Sequence, residues 1–97
     1  MINSKQRSKL RSLAHHIKPS VYIGKSGLAE GVYESINQSL DAHELIKVKF
    51  NESKEYKREL IDSLEDKLSA SIVGSIGNTV IIYKQNEDHD KRKYKIQ

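Results

Sequence analysis

Hydrophobic and polar positions recur along this chain with two different periods, and the switches between them lay out its elements. From Ser4 to Ile17, the residues Leu10, Leu13, Ala14 and Ile17 fall on one stripe, the spacing of an amphipathic helix. Pro19 ends that helix and biases Lys18 toward extended backbone. Val21 to Ile23 reads as a short strand closed by Gly24, and a second helix is predicted from about Ala29 to Ala42. Its Val32, Ile36 and Leu40 repeat every four residues with Tyr33 beside them, Glu30 suits the helix dipole, and Ser26 is a candidate cap. Leu45 to Phe50 switches to period two, with Ile46, Val48 and Phe50 on one face and Leu45, Lys47 and Lys49 on the other. Helical spacing returns from Lys54 to Leu68, where Leu60, Ile61, Leu64 and Leu68 form the inward face and Asn51 or Ser53 can cap.

The last unit reads as a β-hairpin. Ser71 to Ile76 and Thr79 to Lys84 are β-branched runs joined by Gly77-Asn78, a glycine-first pair suited to a type II′ turn. A simple two-residue register puts Val73, Val80 and Ile82 on one face and Ile72, Ile81 and Tyr83 on the other. Both faces are apolar, so helices are expected to cover much of each. The order αβαβαββ describes a single α/β domain over residues 1–85, with a four-stranded mixed sheet packed by helices. Beyond Gln85 the chain is almost wholly polar, and residues 86–97 are expected to form a disordered tail.

Composition narrows the setting. A chain of 97 residues builds one modest core. Its basic N-terminus and lack of any long apolar run exclude a secretory signal and a membrane span. The absence of cysteine removes disulfides and thiolate metal sites and suits a cytoplasmic location.

Charge changes the picture more. Residues 1–29 carry Lys5, Arg7, Lys9, Arg11, Lys18 and Lys25 and no acidic residue, whereas residues 30–97 carry eleven basic against thirteen acidic side chains. Nearly all of the net +4 therefore lies in the first third, with His15 and His16 beside it. At about 100° per residue, Arg7, Arg11 and Lys18 flank the first helix's apolar stripe on one side and Lys5, Lys9 and His16 on the other. A one-sided block of this kind points to a polyanionic partner.

Catalysis finds little support. Adjacent His15 and His16 diverge by about 100° on a helix and cannot chelate as an i, i+4 pair. His43-Glu44 lacks the second histidine of a zinc-protease helix, and no serine sits in a nucleophile elbow. Gly24-Lys25-Ser26 ends like a nucleotide-binding P-loop, but that motif needs a glycine where Pro19 stands and a loop where Val21 to Ile23 reads as a strand. No metal, cofactor or small-molecule substrate is implied.

Gly24-Lys25-Ser26-Gly27 admits two readings, a plain strand-to-helix turn or a loop whose lysine and backbone amides hold a phosphate. A Gly-x-x-Gly loop is also how KH-type domains hold single-stranded backbone. With the basic helix upstream, nucleic-acid binding fits better than hydrolysis. Tyr22 and Tyr33 lie in core-like patterns and read as packing residues more readily than stacking platforms.

Several segments together resemble the bacterial YhbY family, the stand-alone form of the CRM (chloroplast RNA splicing and ribosome maturation) domain. They are Gln6 and Leu10, Leu13-Ala14-His15, Lys18-Pro19, Ile23-Gly24-Lys25-Ser26-Gly27-Leu28, Glu30-Gly31-Val32, His43-Glu44-Leu45-Ile46-Lys47-Val48-Lys49 and Ile76 to Lys84. The resemblance spans about residues 3–84 and implies a fold akin to the C-terminal domain of bacterial translation initiation factor three. It also implies RNA binding without catalysis, with ribosomal RNA of large-subunit precursors as the partner of bacterial members. The family's Gly-x-x-Gly loop maps onto Gly24, Lys25, Ser26 and Gly27, and its basic surface onto the first helix. Ala29 departs from the threonine that members often carry there. The expected RNA contacts are thus Lys5, Arg7, Lys9, Arg11, Lys18 and the glycine loop, with Lys47, Lys49 and Lys84 as auxiliaries in a monomeric RNA-binding domain of ribosome assembly. The rival expectation is a protein-interaction module that docks an acidic partner on the ribosome.

Overall fold

The computed structural model describes residues 2–24, 27–28, 30–51 and 54–94, save the side chains at 30, 54, 64 and 65. The candidate caps Ser26 and Ser53, and Leu64 as a core side chain, lie outside the described residues. Helix α1 spans Ser4–Ala14, α2 Glu30–His43 and α3 Lys54–Leu68; strands are β1 Val21–Ile23, β2 Leu45–Phe50, β3 Ser71–Ile76 and β4 Thr79–Tyr83. One sheet orders them β1-β2-β4-β3. β1 and β2 are parallel, and β2 with β4 and β4 with β3 are antiparallel, which makes the sheet mixed.

Two clusters, one on each face, hold the sheet. Ile36 and Leu40 of α2 and Leu60 and Leu68 of α3 pack on Ile23, Ile46, Val48, Phe50, Val80 and Ile82. On the opposite face Leu10 and Ala14 of α1 meet Leu45, Val73, Ile81 and Tyr83. The asymmetry follows from helix length. Two long helices cover one face, while α1, at 11 residues, is roughly 16 Å long and covers only part of the other.

Helix α1 starts on a capping box that the sequence reading overlooked: the Asn3 side chain accepts from the Gln6 amide, and the Gln6 side chain accepts from Asn3. It ends at Ala14, three residues short of the predicted Ile17. His15 donates to Ser12 and Ile17 to Ala14, so the last turn tightens before Pro19 forbids helix at Lys18. Leu13, expected in the buried stripe, is 41 % exposed, at the outer margin of the face that Leu10 and Ala14 bury.

The hairpin turn matches its prediction, with Gly77 at φ +56°. The faces of β3 do not. Pairing runs Gly74 with Ile81 and then Ile72 with Ile82, so Val73 is an extra residue, a β-bulge. One inserted residue exchanges the sides of everything beyond it. Val73 therefore joins Ile81 and Tyr83 beneath α1, and Ile72 packs with the α2/α3 cluster.

The polar C-terminal segment is a second correction. Residues 86–94, expected as a free tail, are fastened to the domain; 95–97 lie outside the described residues. The anchor is Glu44, the residue after α2, fully buried and at φ +63°. Its own amide donates to Leu40 and closes the helix in a left-handed cap. Its carboxylate accepts from the Asn86 amide at 2.6 Å and from the Lys93 amide. Asn86, itself buried, donates to the Asp41 carbonyl, Arg92 donates to the Asn86 carbonyl, and Tyr94 packs beside the α1 cluster. Composition counts polar residues as solvated, but here backbone amides of the segment satisfy a buried carboxylate, which composition does not register.

Candidate nucleic-acid interface

The basic residues of α1 do not all point outward to a partner. Arg7 Nε donates to the Ile72 carbonyl at 3.2 Å and Arg11 to the Val73 carbonyl at 3.3 Å. Both carbonyls lie at the bulge of the edge strand, where the ladder is locally interrupted and guanidinium donors take its place. Gly74 makes room for this contact, since a Cβ there would sit 3.1 Å from Arg11 Nε. A guanidinium has five donors, so each arginine keeps others for an anion. Lys5, Lys9 and Lys18 are exposed along α1 and the loop that follows it.

Where α1 stops, the sheet is left open. Between the end of the helix and the bare half of the sheet runs a groove of about 640 Å³, whose positive charge comes from Arg11, Lys47 and Lys49 with His15 and His16 at its rim. Among the described residues no aspartate or glutamate lines it. The acidic side chains Glu34, Asp41, Glu55, Glu59, Asp62 and Asp66 are carried instead by α2 and α3, which cover the opposite face. The sheet thus separates a basic side from an acidic one, and an approaching polyanion is steered to the groove.

Register aligns four residues across the open half: Tyr22 pairs with Lys49, Lys49 with Thr79, and Thr79 with Ile76. Paired residues share a face, so this row runs from edge to edge of the sheet on the groove side. Tyr22 is 59 % exposed and Ile76 67 % exposed. The reading of Tyr22 as a packing residue is therefore corrected. In the short strand β1, Val21 and Ile23 are buried and Tyr22 between them faces out, the alternation that a three-residue strand allows and that could have flagged it. Tyr33 does pack: its hydroxyl lies 2.9 Å from Ser63 Oγ, and Lys67 Nζ stands 4.5 Å over its ring.

The glycine loop borders the same end of the sheet. Gly27 donates its amide to the Gly24 carbonyl at 3.1 Å, closing a four-residue turn, so that amide is committed within the loop. Gly27 is buried at φ +67°, and the Tyr56 ring of α3 occupies the place a Cβ would take. Gly24 is exposed with open space around it. Lys25 and Ser26, the predicted phosphate contacts, and Ala29 lie outside the described residues. Lys84 is not brought to the groove: its Nζ reaches Asn37 of α2 at 3.3 Å, on the other side of the sheet.

Among the described residues no helix is long and apolar enough to cross a membrane. Tyr83 lies beneath α1 with its hydroxyl buried and unpartnered among those residues. Burial, and secondly the Glu44 carboxylate, push its phenol above the usual value of 10.0, while Arg92 pulls it back.

The chain is similar to known proteins both in sequence and in three dimensions. A Haemophilus influenzae "RNA-binding protein" is 38 % identical over 88 residues, covering 90 % of this chain and 89 % of the relative. The Bacillus subtilis "Probable RNA-binding protein YqeI" is 34 % identical over 90 residues, 92 % of this chain and 94 % of its own. In three dimensions the chain is similar to a Staphylococcus aureus protein solved in solution and described as a candidate RNA binder. That match has a TM-score of 0.78 and 34 % identity, covering 96 % of this chain and 98 % of the other. The family model of the CRS1 / YhbY (CRM) domain matches residues 2–84, which takes in α1 to α3 and β1 to β4. By that match, and by the sheet order and basic helix beneath it, the chain belongs to the CRS1/YhbY (CRM) domain family.

Proposed function

We propose that this protein binds RNA without catalysing its reaction, and that it does so in the cytoplasm, as a monomer, on ribosomal RNA of large-subunit precursors. The observation that carries the reading is the groove in which Arg11, Lys47 and Lys49 converge, with no acidic side chain among its described lining residues, beside a helix that adds Lys5 and Lys9. The names of its relatives as RNA-binding proteins support it. The grip is on the phosphate backbone, which gives affinity with low sequence preference. Lys18, and Lys25 and Ser26 of the glycine loop, add further phosphate contacts in this reading.

A salt titration tests it. Some four to six neutralised phosphates give a log–log slope of roughly −3 to −5 for a structured ribosomal RNA fragment. In cells, the protein co-sediments with large-subunit precursors at low salt. A slope near zero, or equal affinity for an acidic protein, favours the interaction-module alternative; a protein that stays at the top of the gradient removes the ribosomal target.

A further inference from the structure

The row Tyr22–Lys49–Thr79–Ile76 is more than phosphate binding requires. An aromatic ring and an aliphatic side chain, both mostly exposed, stand at its ends, with a cation and a hydroxyl between them. Exposed apolar residues scattered singly are ordinary on a protein surface. Here, among the described residues, two of the three large exposed ones share a single register row beside the basic groove, and the third, Leu13, lies on α1. The row crosses three interstrand spacings of about 4.8 Å, roughly 14 Å from Tyr22 to Ile76.

Resting on the RNA-binding reading above, we infer that this open half of the sheet receives unpaired nucleotides, a base lying on the Tyr22 ring while Lys49 and Lys47 hold the adjoining phosphates. Base-paired RNA presents phosphates and ribose hydroxyls outward and keeps its bases stacked within, so it has nothing to place on a tyrosine ring. An unpaired base has a free π-face, and stacking on an aromatic side chain tolerates any base. Among the described residues that line the groove, none is a carboxylate that would repel the backbone. Ile76 at the far end supplies an apolar wall, and the Thr79 hydroxyl lies midway with a donor and acceptor for a base edge or a 2′-hydroxyl. The unit recognised is therefore a loop, bulge or end in a structured RNA.

Labelled single-stranded oligouridine and a fully paired RNA duplex of equal phosphate count, measured at one salt concentration with the full chain, separate stacking from charge. Tyr22→Ala is expected to weaken oligouridine binding about fivefold to thirtyfold and to leave duplex binding within about twofold, while Tyr22→Phe keeps the wild-type affinity for both. Because the chain has no tryptophan, Tyr22→Trp adds a direct reporter, whose fluorescence is quenched by bound oligouridine and not by bound duplex. Equal loss, or no loss, for both RNAs on Tyr22→Ala overturns the inference, as does unquenched fluorescence with oligouridine bound. Binding of duplex alone overturns it while sparing the RNA-binding reading. Failure of the unmodified protein to bind either RNA brings down both.

Discussion

The ring of Tyr56 lies against Gly27 so closely that a Cβ at position 27 would sit 2.6 Å from its Cε1 and Cζ atoms. Helix α3 thus reaches across to lock the glycine turn that precedes α2. This contact gives Gly27 a structural duty that is separate from any phosphate.

Gly27→Ala is accordingly expected to lower stability by about 2 to 3 kcal/mol even without RNA, about 1 from the left-handed backbone and the rest from displacing the ring. Tyr56→Ala in the same chain should recover part of the steric share and none of the backbone share. Thermal melts of the two single variants and the double variant check this. Additive losses would mean that the ring moves aside at no cost.

Lys47, Lys49 and Lys84, all expected as auxiliary contacts, differ in where the sheet sends them. Lys47→Gln and Lys49→Gln should each weaken RNA binding by about 1 kcal/mol and reduce the salt slope by about one. Lys84→Gln, on the α2 side, should leave both unchanged. Salt titrations of the three variants measure the contrast, and a loss at Lys84 equal to that at Lys49 would place the RNA elsewhere.

Glu44 has two backbone amides on its carboxylate, from Asn86 and Lys93. A glutamine offers one acceptor oxygen and turns donors toward the other amide. Glu44→Gln should therefore cost about 1 to 3 kcal/mol and release residues 86–94 from the domain. Hydrogen exchange reads the second effect directly, as loss of protection at the Asn86 and Lys93 amides. Unchanged protection would show that Arg92 and Tyr94 hold the segment without Glu44.

The Tyr83 phenol titrates above 10.0 in the folded protein because burial, and then Glu44, oppose its ionisation. Below about pH 10 it is neutral in both states and adds no pH dependence. As pH rises from there through the folded value, the unfolded chain ionises first, so stability falls over that window. Tyr83→Phe should remove that part of the alkaline loss. At neutral pH it should be neutral to stabilising by up to about 1 kcal/mol, since the hydroxyl it deletes is buried and has no partner among the described residues. Chemical denaturation at pH 7 and near pH 11 provides the comparison; parallel losses for both proteins would refute the assignment to Tyr83.

What the sequence determined by itself was local. Period and punctuation placed β2, α3 and β3 at their observed bounds, because side-chain spacing along a strand or helix is set by the backbone of that element alone. The basic first helix, the glycine-first hairpin turn and the family resemblance were legible for the same reason. The tertiary structure decided which of those residues meet. Arg7 contacts a strand 65 residues away, and Glu44 a segment 42 residues away. Neither contact leaves a periodic trace, since each rests on a bulge or a left-handed non-glycine cap that shifts register at a single position. Tyr22 faces out and Lys84 faces α2 because strand order and pairing assign each residue a side of the sheet. That side is a property of the assembled sheet, and only when α1 proves too short to cover it does the open basic groove exist.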